Sequence, residues 1–140
     1  MKLMHLSDLH LGKRVNGFSM IEDQRFVLDQ ILEMAAGERP DGVLLCGDIY
    51  DKTVPSAEAV ELFDEFLSRL AELAPVFLIS GNHDSAERLA FGGRLLQKAR
   101  VHVSPVYDGT VSAVELTDEF GPVRIHLLRP LRQGQRRRKR

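Results

Sequence analysis

Three short polar clusters in this sequence carry residue types suited to holding cations. They are Ser7-Asp8-Leu9-His10, Gly47-Asp48-Ile49-Tyr50-Asp51 and Gly81-Asn82-His83-Asp84. Asp8 and His10 lie two apart, so on an extended strand end both side chains leave the same side and converge on one ion. Asp48 offers two carboxylate oxygens, enough to bridge two cations from a neighbouring strand. Asn82 adds a neutral oxygen, and His83 a nitrogen that can ligate or donate a proton. Oxygen and nitrogen donors without thiolate suit manganese, iron or zinc. Two such ions ~3.5–4 Å apart clamp a phosphoryl group and generate a nucleophile near neutral pH, which points to phosphoester hydrolysis. Each cluster alone is ordinary turn chemistry. The weight lies in finding all three, each after an apolar run and separated by one helix-like stretch.

Such clusters need a scaffold that delivers three loops to one edge. Residues 2–7, 42–47 and 76–80 are apolar runs of strand length that end at the clusters. Leu28, Ile31, Leu32 and Ala35 follow the spacing of an amphipathic helix over 21–36, which the stretch Gly37 to Pro40 stops. Pro55 and Ser56 open a second helix with Phe63, Phe66, Leu67 and Leu70 on one face, and Pro75 breaks it. A third helix is expected from an N-cap at Ser85 to about Ala99, with Leu89, Leu95 and Leu96 inward and Gly92 and Gly93 weakening its middle. Short strands are expected near 101–103, 110–116 and 123–128. This β-α-β-α-β-α order predicts an α/β fold with parallel strands, right-handed crossovers and helices on both faces of the sheet. In such sheets functional residues sit just past the carboxyl ends of strands, where all three clusters fall.

The chain's 140 residues make one domain, and a 44% hydrophobic share is enough to bury a core. No apolar run approaches the ~20 residues that span a bilayer. Asp8 falls where a signal peptide would be apolar, so a cytoplasmic location is expected. A single cysteine, Cys46, excludes an internal disulfide framework and is expected to be a buried small hydrophobe. The near-neutral sum hides an asymmetry. Residues 1–128 hold all 20 acidic groups, and the last twelve, RPLRQGQRRRKR, are strongly basic. The expected organisation is a folded body over 1–128 and a solvated, disordered or non-native tail over 129–140, which could also meet nucleic acid.

The clusters D-x-H, GD-x-x-D and GNHD resemble the signatures of the calcineurin-like metallophosphoesterases. The longer strings HLSDLHLGKRVNGFSMIEDQRFVLDQIL, LLCGDIYDKTVPSAEAVELFDEFL and ISGNHDSAERLAFG are similar to one branch, the SbcD-type nucleases of bacterial double-strand-break processing. That resemblance implies a β-sandwich flanked by helices around a β-α-β-α-β core. It implies two divalent ions, manganese foremost, with Asp8 and His10 on the first, Asp48 bridging and Asn82 on the second. His83 would orient or protonate at the scissile phosphate without ligating, held by Asp84. DNA as substrate, an SbcC-like ATPase partner and a homodimer packed through helices are implied with it.

The chain also departs from the pattern. It has five histidines, His5, His10, His83, His102 and His126, and none sits in the G-H-x-H loop that completes the family's site. His5, His102 and His126 read as ordinary strand residues. The expectation is therefore an N-terminal fragment, or a truncated or frame-shifted product, that holds its second ion weakly and hydrolyses DNA poorly. Two other readings stand beside it: a metallophosphoesterase for another phosphoester, and a catalytically dead dimerisation or DNA-docking module. Lys13, Arg14 and Asn16 either reach a DNA backbone or form a solvated loop.

Overall fold

The computed structural model describes residues 1–81, 99–105 and 109–128. Its elements in chain order are β1 (Leu3–Ser7), β2 (Arg14–Val15), β3 (Phe18–Ser19), α1 (Ile21–Glu38), β4 (Gly42–Cys46), α2 (Ala57–Leu73), β5 (Val76–Ile79), β6 (Val101–Val103), β7 (Ser112–Asp118) and β8 (Gly121–Leu127). The third expected helix, Asn82, His83, Asp84 and the basic tail lie outside the described residues. No described helix is long and apolar enough to cross a membrane.

Four strands form a parallel sheet in the order β1-β4-β5-β6. One row of the register runs His5, Leu44, Phe77 and His102. The strand order grows in one direction only, which fixes where the helices go. A right-handed crossover that always steps the same way puts every connecting helix on the same side. The expectation of helices on both faces is therefore corrected for α1 and α2. Both pack into one core with Val43, Leu45, Val76 and Leu78. Across their contact run two exposed ion pairs, Arg25–Glu65 and Asp29–Arg69, each at 2.6 Å. Exposed pairs of this kind add little, so the apolar seam carries the contact.

Leu28, Leu32 and Ala35 of α1, and Phe63, Phe66, Leu67 and Leu70 of α2, are buried as their spacing predicted. Ser56 caps α2 by accepting from the Ala59 N–H at 3.3 Å. α1 ends inside the stretch Gly37 to Pro40 that was expected to stop it, two residues beyond the expected 36. The helix runs to Glu38; the Arg39 N–H makes the last ordinary helical bond, to the Ala35 carbonyl, and the left-handed backbone of Arg39 (φ 48°) then turns the chain out of the helix.

The opposite face of the sheet meets the antiparallel β7–β8 pair, the second layer. Ser104 Oγ donates to the Leu127 carbonyl at 3.4 Å, and the Met1 ammonium meets Asp118 at 2.5 Å. Cys46 belongs to this face and is half-buried, which corrects the expectation of full burial. Alternation along β4 turns Val43 and Leu45 toward the helices and Cys46 away from them.

Candidate metal centre

β1 and β4 end at Ser7 and Cys46, and their pairing does not stop there. The Asp8 N–H points at the Gly47 carbonyl at 3.4 Å. His10 N–H donates to Asp48 O at 2.9 Å, Leu11 N–H to Ile49 O at 2.9 Å, and Asp51 N–H returns to Leu11 O at 3.1 Å. The first two polar clusters are thus zipped together beyond the strands. Leu11 and Ile49 alternate with the polar residues and are buried at 2% and 0% exposure. They nail both loops to the core while their neighbours face outward.

Asp8, His10 and Asp48 each present a ligand atom within 4.8 Å of the others. Sequence spacing expected Asp8 and His10 to converge from an extended strand end. The observed cause is different. Asp8 (φ 56°), His10 (φ 45°) and Asp48 (φ 45°) all adopt the left-handed conformation. That conformation costs an ordinary residue roughly 1–2 kcal/mol, less for Asp, Asn and His. Burying Leu11 and Ile49 contributes about 1.5–3 kcal/mol each, comparable to the summed strain. Half of the non-glycine residues with positive φ among those described belong to this one group, as strain gathered at a working site would have it.

Two glycines make the approach possible. Gly47 turns at φ 74°, and a Cβ there would lie 3.0 Å from Gly81 Cα. A Cβ on Gly81 would overlap the Asp48 backbone nitrogen and Oδ1 outright. The start of the third cluster is therefore packed directly against Asp48. Asn82, His83 and Asp84 follow Gly81 in the chain but lie outside the described residues.

Sequence reasoning missed Gln24 and gave no role to Asp51. Gln24, in the first turns of α1, donates through Nε2 to the His10 carbonyl at 2.8 Å and the Leu9 carbonyl at 3.3 Å, while Oε1 accepts from the Gly12 N–H at 3.0 Å. It buckles the first loop to the helix. The available signal was its place four residues before Leu28, a polar residue on the apolar stripe. Asp51 Oδ1 lies 3.6 Å from His10 Nδ1. Arg14 turns its guanidinium back onto the Gly17 carbonyl of the β2–β3 hairpin, a pairing not read from the sequence. A cleft of about 250 Å³, lined by Gly12, Arg14, Lys52, Ser56 and Glu58 among others, opens past Leu11 and includes none of Asp8, His10 and Asp48.

The donor set fits a divalent cation. Two carboxylates and one imidazole, without thiolate, are hard to borderline ligands, and the space at Gly81 keeps the Asp48 carboxylate free of a methyl group. The SbcD component of the SbcCD nuclease of Staphylococcus saprophyticus subsp. saprophyticus is 37% identical to this chain over 105 residues, covering 74% of the chain and 28% of that relative. The chain thus matches little more than a quarter of the relative's length. The calcineurin-like phosphoesterase family, which implies divalent metal ions, matches residues 1–137, and the matched span includes the carboxylate–histidine group that could hold one: the chain belongs to the calcineurin-like phosphoesterases.

Proposed function

We propose that this chain serves metal-dependent hydrolysis of DNA phosphodiesters at DNA ends, in double-strand-break repair and recombination. The carrying observation is the convergence of Asp8, His10 and Asp48 at the carboxyl ends of adjacent strands. The likeness to a nuclease component supports the choice of DNA over other phosphoesters. That relative's name, one subunit of an SbcCD complex, supports an SbcC-like partner; an ATPase activity in that partner, a homodimer and a cytoplasmic setting are further parts of the same proposal.

Asp8 and His10 would hold one ion and Asp48 would face two, with Asn82 on the second; manganese is the metal we favour. Ions bound there would polarise a phosphoryl oxygen and make a water acidic enough to attack near neutral pH. The protein's own work is positioning. The backbone zipper fixes the separation of Asp8, His10 and Asp48, and Gln24 keeps the His10 carbonyl from drifting. Lys13 lines one cavity together with Asp8 and would draw in a phosphodiester. His83, held by Asp84, would orient the scissile phosphate or protonate the leaving oxygen.

Among the described residues one histidine belongs to the cluster. A single imidazole and two carboxylates hold one ion better than two, so this chain by itself should cleave DNA slowly. The test is hydrolysis of linear duplex DNA with Mn²⁺, run beside bis-p-nitrophenyl phosphate. Slow, Mn²⁺-dependent cleavage of both that Asp48→Ala abolishes is the expected result. Hydrolysis of the small ester with no action on DNA at any enzyme concentration would overturn the substrate assignment.

A further inference from the structure

The β2–β3 hairpin follows directly on the loop that carries His10, and its shape is set by its own sequence. The two-residue turn is Asn16-Gly17, with φ 49° and 82°. Positive φ at both central positions is the turn whose twist matches paired strands, and Asn-Gly is its favoured sequence. The Arg14 guanidinium braces the turn by donating to the Gly17 carbonyl. At the base of the hairpin the Met20 N–H donates to the Lys13 carbonyl at 3.0 Å, and the Lys13 N–H to the His10 carbonyl at 3.2 Å. Two backbone bonds thus tie the ribbon to a member of the Asp8–His10–Asp48 cluster.

Side chains alternate across such a ribbon. Arg14 and Ser19 are opposed on one face and line the cleft that also holds Lys52. Val15 and Phe18 are opposed on the other. There Val15 lines a cavity of about 530 Å³ together with Asp8, Lys13, Met20, Asp23 and Val27. Directly opposed side chains lie ~5 Å apart, so Phe18 stands beside Val15 at the edge of that cavity. Phe18 is 75% exposed, so its ring adds little burial to the fold. The cavity joins an apolar floor to one cation and two carboxylates, and its volume is that of a small-molecule site. An unpaired nucleotide matches each part. Its base stacks on an aromatic ring whatever the sequence. A carboxylate accepts from an exocyclic amine on the base edge, and a lysine meets the phosphate. The hairpin from Lys13 to Ser19 carries two cations and no acid, so it does not repel that phosphate. A base inside a duplex cannot enter, because it is stacked on both faces and paired along its edge.

We propose that Phe18 and the cavity beside it receive one unpaired base of a DNA end, so that the chain selects ends bearing a single-stranded overhang over blunt ends. The proposal rests on the nuclease reading above and names the kind of end the site takes. Phe18 acts as a stacking platform, and the shared cavity places the base next to Asp8 of the metal cluster.

Fluorescence anisotropy with the full chain in EDTA reads binding without cleavage. The probes are one labelled duplex with a blunt end, the same duplex with a short overhang, and the same overhang built from abasic nucleotides. The wild type should bind the normal overhang about 5–100-fold more tightly than either other probe, the range that stacking one base provides. Phe18→Ala should lose that preference and leave blunt-end affinity unchanged. Phe18→Trp should keep it, and Phe18→Leu, apolar but not aromatic, should lose most of it. No preference for the normal overhang in the wild type, or a preference that survives in Phe18→Ala, overturns the proposal and leaves the nuclease reading standing. Failure to bind any of the three DNAs overturns both. Self-association that Phe18→Ala abolishes with no change in overhang affinity gives this face to a second copy of the chain and overturns the proposal.

Discussion

Replacing Gly81 by alanine isolates one contact on which the candidate site depends. The backbone of Gly81 does not need positive φ, so alanine brings no conformational strain of its own. The added methyl would overlap the Asp48 amide nitrogen and Oδ1 and lie 2.9 Å from its Cγ. An amide nitrogen cannot swing away as a side-chain end can. Either the loop after β4 or the one after β5 must move by something on the order of 1 Å, a displacement that at a reacting centre can cost about 10²-fold. Overpacking of this kind destabilises by roughly 1–3 kcal/mol. At this chain length each kcal/mol lowers Tm by roughly 4 °C. Thermal unfolding should therefore show a drop of about 4–12 °C. Mn²⁺ titration of the same protein should show affinity reduced about tenfold or more, because Asp48 is the group displaced. Gly37→Ala is the control. Its Cβ would meet nothing within 4 Å, and it lies inside α1, so it should stabilise by about 0.5–1 kcal/mol. Wild-type Tm and wild-type Mn²⁺ affinity in Gly81→Ala would refute the packing of Asp48 against Gly81 and the site built on it.

Three further outcomes are expected. Mn²⁺ at about 100 times its dissociation constant should stabilise the wild type by roughly 2.7 kcal/mol in denaturant titrations, and Asp48→Ala should lose that increment. Gln24→Leu leaves the Gly12 N–H and the His10 carbonyl without their side-chain partner, which should cost about 1–3 kcal/mol and speed amide exchange in the 8–12 loop. His102 stacks on Phe77 at 5.1 Å, its Nδ1 is buried with no hydrogen-bond partner among the described residues, and burial pushes its pKa below the usual histidine value. The folded state then binds fewer protons than the unfolded one, so stability falls as pH drops through and below about 6.5. His102→Phe should flatten that part of the stability–pH curve, and an unchanged slope between pH 7 and 5 would refute the assignment.

Local residue pattern was enough for the elements that bury a repeating face. The 3.6-residue spacing of Leu28, Leu32 and Ala35, and of Phe63, Phe66 and Leu70, is a property of the segment itself, and those residues are buried. The polar clusters were legible too, because Asp, His and Gly after apolar runs are local facts, and they placed Asp8, His10 and Asp48 at adjoining strand ends. Tertiary structure decided the rest. Which side of the sheet α1 and α2 occupy depends on the strand order, and no short window of sequence encodes it. The clustering of Asp8, His10 and Asp48 arises from left-handed turns stabilised by a backbone zipper between loops some forty residues apart. Gln24 gains its role only from the folded first loop, whose backbone groups it bonds. Local periodicity reports which face is buried; the partner that buries it, and the strain a loop can bear, are set by contacts between segments distant along the chain.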